Sequence, residues 1–134
     1  MHRKALKASI RQRSGVAVIH LHGEVDGSAQ HALGAAYAKA EGWGLPAILL
    51  DFRDVGYINS KGIALIVGLL SRARASSTRL LACGLSEHYL EIFQITRLSD
   101  YITIYPDEQT ALLEAASLGE SAHTRRENTV QETL

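Results

Sequence analysis

Two short runs, PAILLDF and STRLLAC, constrain the chain most: the first is almost wholly apolar, the second ends in the apolar LLAC, and each is followed by a stretch with helical spacing. A run of that length with no polar alternation suits a strand buried on both faces of a parallel sheet. After the first run, Ile63, Ile66, Val67, Leu70 and Ala73 recur at helical spacing, with Arg72 and Arg74 on the polar side. After the second, SEHYLEIFQI reads as a short helix capped by Ser86.

The flanking segments extend the same alternation. KASIRQRSG and VAVIHLHG read as two strands of a hairpin turning at Ser14-Gly15. The next helix has Ser28 as its expected N-cap, Leu33, Ala36, Tyr37 and Ala40 on one face, and Gly42 and Gly44 as its stop. DYITIY reads as a strand, and DEQTALLEAASL as a last helix entered after Pro106 with Asp107 as cap. The order β-β-α-β-α-β-α-β-α implies a single α/β domain: a mostly parallel mixed sheet of about five strands with about four helices on its faces. That domain is assigned to residues 1–118. The polar, aperiodic segment 119–134 is expected to be a disordered tail.

A length of 134 residues suits one domain, and 46% hydrophobic against 21% charged residues permits a core without staples. Fourteen basic and fourteen acidic residues cancel, which argues against nucleic-acid binding by bulk charge. Arg72, Arg74, Arg79 and Arg125-Arg126 are too sparse to alter that reading. The only cysteine, Cys83, lies in an apolar run and is expected to be a buried, inert thiol in a reducing compartment. No apolar stretch approaches a membrane span, and the start lacks a secretion signal, so a cytoplasmic protein without membrane insertion is the expectation.

Catalytic patterns are lacking. Neither a GxSxG elbow nor a Walker-type loop occurs, and no catalytic set is assigned, so the chain is not read as an enzyme. His20 and His22 share a strand face but lack further ligands, so no metal is assigned, and no cofactor is implied. Asp51 and Asp54 are read as exposed or capping groups, His31 and His88 as solvated helix residues, and Trp43 as packing on the sheet edge. The distinctive element is GYINSKGIALIVGLL, residues 56–70, where Asn59-Ser60-Lys61-Gly62 interrupts a strand and opens a helix. Either Asn59 or Ser60 serves as N-cap. A helix start tolerates a seryl phosphate, which would add about −1.5 to −2 charges facing a docking partner. Gly62 would let another molecule come close to the backbone, and Ile63, Leu65 and Ile66 either serve a partner or pack inside.

Three segments in order carry a family likeness: GEVDGSAQHAL, ILLDFRDVGYINSKGIALIVGLL and LEIFQITRLSDYITIYPDEQTAL. Together, over roughly residues 6–117, they resemble the STAS domains, and most of all the free-standing bacterial anti-sigma factor antagonists. The resemblance implies a regulatory protein that binds an anti-sigma factor that is also a serine kinase, is phosphorylated by it on the loop serine, and is restored by a phosphatase. That serine falls on Ser60, and Asp26 falls on the aspartate near the loop. The implied partner face comprises Asp26, Asn59, Ser60, Lys61, Gly62 and Ile63; an oligomeric state is not implied. The chain departs from the pattern at Asn59 for the loop aspartate, at Lys61 for a second hydroxyl residue, and at Arg97 for a glycine, where an altered turn is expected. STAS domains also serve as subunits of stress-sensing assemblies and of transporters, including lipid transporters, and an unphosphorylated subunit of that kind is the alternative reading.

Overall fold

The computed structural model describes residues 4–116; the expected disordered tail, residues 119–134, lies outside them. Strand β1 (Lys7–Arg13) pairs antiparallel with β2 (Val16–Val25) through a two-residue turn. Ser14 and Gly15 both have positive φ, 52° and 76°, as the hairpin turn matching strand twist requires. Strands β3 (Ala47–Ile58), β4 (Arg79–Cys83) and β5 (Thr103–Tyr105) follow in parallel, giving the sheet order β1-β2-β3-β4-β5. Helices α1 (Gln30–Glu41), α2 (Ser60–Ala75) and α3 (Glu87–Ile95) make the crossovers, and α4 occupies residues 108–116. The fold is the expected α/β arrangement of five strands and four helices.

Strand alternation sorts the core into two layers. Ala17, Ile19 and Leu21 of β2, Ile48, Leu50 and Phe52 of β3, and Leu80 and Ala82 of β4 point to one face. There they meet Leu33, Tyr37, Ile66, Leu70 and Phe93 of the three crossover helices. Val16, Val18, Leu49, Leu81 and Cys83 point to the other face and are covered by Ala111 and Leu112 of α4. All of Ala47–Phe52 is buried, which explains the missing polar alternation. Trp43 packs at the margin of the first layer, while His31 and His88 are exposed on their helices.

Several local expectations need correction. Ser28 does not cap α1. Asp26 caps a short 3-10 turn, Gly27–Ala29, by accepting the Ser28 N–H at 2.9 Å, and α1 begins only at Gln30. On α2 the buried stripe is Gly62, Ile66, Leu69, Leu70 and Ala73; Leu69 replaces Val67, which is 43% exposed because the stripe is phased one position away. The strand within DYITIY shrinks to Thr103–Tyr105, since Leu98–Asp100 forms a second 3-10 turn. Asp51 is buried, not exposed, and its carboxylate accepts the Arg53 N–H at 3.0 Å.

The turn at Arg97 is not rearranged to avoid the left-handed conformation. Arg97 adopts it, at φ 65° and ψ 16°, between the end of α3 and the 3-10 turn. Burial of Leu98 and Ile102 immediately after it fixes the path of the chain and imposes that backbone. A side chain there costs about 1–2 kcal/mol, part of which glycine's looser unfolded chain would give back. Arg97→Gly is therefore expected to raise stability by about 0.5–1 kcal/mol, read as an increase of roughly 2–5 °C in Tm. An unchanged or lower Tm would show that the exposed Arg97–Asp100 pair, at 3.1 Å, outweighs the strain.

Cys83 lies on the α4 side of the sheet, fully buried and paired in register with Asp51. Burial first, and the Asp51 carboxylate second, push its thiol up to about 12. At about pH 8 only on the order of 10⁻⁴ of such a thiol is the reactive thiolate. The native protein should resist iodoacetamide for hours at that pH and react within minutes in denaturant; rapid native labelling, followed by mass spectrometry, would contradict this placement.

Candidate functional site

The carboxyl ends of the neighbouring parallel strands β2 and β3 carry the candidate site, the usual location of ligands in open α/β sheets. Val25 and Ile58 are register partners there, and each strand then turns into a helical segment. The turn after β2 is closed by Asp26. The turn after β3 is closed by Asn59, whose extended backbone (φ −102°, ψ −177°) and side-chain oxygen accept the first helical bonds: Gly62 N–H to Oδ1 and Ile63 N–H to the carbonyl, both at 2.9 Å. Asn59, not Ser60, is thus the N-cap. Ser60 becomes the first helical residue. It is exposed, and among the described residues its hydroxyl is in no hydrogen bond. The fold does not spend that oxygen on capping.

Gly62 is explained differently from the sequence reading. A β-carbon there would lie 1.9 Å from the Val25 carbonyl oxygen, so the backbone that approaches it closely is the chain's own β2. Gly62 is buried, and half-buried Ile63 packs against the main core. Asp26, Asn59, Ser60 and Lys61, by contrast, line a single recess of about 440 Å³. Four of the six expected residues are brought together there, and Gly62 and Ile63 stand behind it as supports.

The recess also has walls that the sequence pattern does not announce. Lys4 and Ala5 form one wall. They are laid across β2 by the Glu24 N–H, which donates to the Lys4 carbonyl at 3.0 Å. Gly23 permits this crossing: its φ is +116°, and a β-carbon on it would be 2.7 Å from the Ala5 carbonyl oxygen. A glycine inside a strand pattern was the available signal. Tyr89 of α3 was missed as well; its hydroxyl accepts the Ile58 N–H at 2.9 Å and so fixes the end of β3 just before the loop. Tyr57 beside it is 44% exposed. From Lys61 the same face of α2 continues through Ala64, Leu65 and Gly68, which with Leu33 and Gly34 of α1 line an adjoining groove of about 330 Å³.

Among the described residues, few charged groups line the recess. Lys4 and Lys61 are exposed and Asp26 is buried. On the opposite face of β2, His20 Nε2 lies 2.6 Å from Asp54 Oδ2, and this hydrogen bond is the main reason the Asp54 carboxyl is held below its usual range. Among the described residues no group of three or more His, Cys, Asp or Glu side chains is placed to hold a metal ion, and no helix is long and apolar enough to cross a membrane.

The STAS domain family matches residues 7–111. The chain belongs to the STAS domain family. The anti-sigma-B factor antagonist of Listeria monocytogenes is 36% identical over 55 residues, 41% of this chain and 48% of that protein, so the chain spans about half the length of this curated relative. BtrV of Bordetella bronchiseptica, named for an anti-sigma factor antagonist role, is 26% identical over 101 residues, 75% of this chain and 84% of BtrV. Among solved structures, the Bacillus cell fate determinant SpoIIAA in its phosphorylated form superposes with a TM-score of 0.63 at 22% identity, covering 81% of this chain and 98% of SpoIIAA. This STAS domain therefore resembles anti-sigma factor antagonists, proteins named for regulation and not for catalysis, and shares their fold.

Proposed function

We propose that this STAS domain is an anti-sigma factor antagonist switched at Ser60. Its partner is an anti-sigma factor with serine-kinase activity, which docks over the recess of Asp26, Asn59, Ser60 and Lys61 and along the groove between α1 and α2, with Gly62 and Ile63 holding the loop from behind. In the transfer step, Ser60 Oγ bonds to the γ-phosphorus of ATP as the bond to ADP breaks, and the hydroxyl proton passes to a base on the kinase. A phosphatase reverses the state with water, returning the hydroxyl and inorganic phosphate.

The observation that carries this reading is the division of labour at the start of α2. Asn59 supplies the cap, so Ser60 stands exposed with a hydroxyl that nothing else in the described fold uses. Modifying it leaves the helix start intact and even complements its partial positive charge. The presence of a phosphorylated form among structures of the same fold supports the assignment by analogy. Incubation with the kinase encoded nearest the gene and ATP should add one phosphate to wild type and none to Ser60→Ala, by intact mass. No phosphate on wild type, together with copurification in a high-mass or transporter complex, would overturn the switch in favour of an unphosphorylated assembly subunit.

A further inference from the structure

The recess around Ser60 has two cationic walls, Lys61 and Lys4. Lys61 lays its stem over the turn after β2: its Cδ is 3.0 Å from where a β-carbon on Gly27 would stand. Lys4 comes from the far side, its backbone tied to β2 by the Glu24 N–H. Among the described residues the other charged group in the recess is Asp26, a residue 4% exposed whose carboxylate accepts the Ser28 N–H. The first turn of α2 contains no acid.

A phosphoryl group on Ser60 would bring about −1.5 to −2 charges to the side of a buried carboxylate. Repulsion between like charges would favour the singly charged form of that group. The two lysine ammonium groups that line the same recess favour the doubly charged form. We propose that Lys4 and Lys61 hold the Ser60 phosphoryl group in cis, folding it back into the recess, so that Lys61 replaces a second hydroxyl with an intramolecular counter-ion. The modified face would then present a covered recess and spent lysines, not a projecting dianion. This rests on Ser60 being the modified residue, but its test does not depend on any kinase.

Phosphoserine is inserted at position 60 of the full chain during translation, and the second phosphate ionisation is followed by ³¹P NMR against pH, natively and in urea. The native midpoint is expected at least about half a unit below the unfolded one. Lys61→Gln and Lys4→Gln should each return a substantial part of that shift, and the double variant most of it. The lysine variants separate the side chains from the helix start, which lowers the midpoint in all of them alike. A native midpoint equal to or above the unfolded one, or one indifferent to both lysines, overturns the clamp. Those outcomes leave the kinase experiment on unmodified protein unaffected, so the two readings fail separately.

Discussion

Gly62→Ala should destabilise the domain by about 3 kcal/mol or more, seen as a Tm lower by roughly 10 °C or as failure to fold. The new methyl would sit 1.9 Å from the Val25 carbonyl oxygen and 2.7 Å from its carbon, and both atoms are backbone, so no side-chain rotation relieves the clash. Either α2 withdraws from the sheet or the end of β2 bends. Each movement threatens the Asn59 N–H bond to the same Val25 carbonyl at 3.2 Å and the register pair Val25–Ile58. The substitution would also abolish partner binding, but through the fold. Gly68→Ala, on the open side of the same helix where a β-carbon meets nothing within 4 Å, is the control and should leave Tm within about 1 °C or raise it. Equal melting temperatures for wild type and Gly62→Ala would show that the two elements do not touch as described.

Ser60→Asp should weaken binding to the proposed anti-sigma partner about 10–100-fold, equivalent to about 1.4–2.7 kcal/mol, without loss of stability. An acid at the first helical position is favourable by about 0.3–1 kcal/mol, so Tm should stay level or rise slightly. Ser60 is exposed and is not the cap, so no native hydrogen bond is lost on substitution. Weakened affinity with undiminished Tm therefore isolates charge at the docking face. Calorimetric titration that finds the same affinity for Ser60, Ser60→Ala and Ser60→Asp proteins would reject Ser60 as the control point.

The sequence was most informative where one rule acts alone. Mostly apolar runs marked the central strands because both faces are covered, and Ser14-Gly15 marked the hairpin because few residue pairs take two positive φ values. The Asn59–Ser60–Lys61 loop and Asp26 were legible as segments, and the fold brings them to adjacent strand ends. What stayed hidden needed a third dimension. Gly62 looks the same in a sequence whether its neighbour is a partner or Val25 of its own sheet. Val67 and Leu69 are both apolar, and only the angular position of the helix decides which is buried. Lys4 enters the recess through a crossing at Gly23 that no local propensity encodes. Arg97 shows the converse, a residue whose preference was read properly but overruled by the burial of Leu98 and Ile102 around it.

The uninterrupted strand order β1-β2-β3-β4-β5 has a consequence for biogenesis. Each strand docks beside the one synthesised just before it, so the sheet can grow outward as the ribosome delivers the chain, with no late insertion between strands already joined. Loop closures stay short along the way, which favours rapid maturation. The Ser60 loop emerges once β2 and β3 can pair, so the end of the molecule that carries it takes shape while its far edge is still being translated.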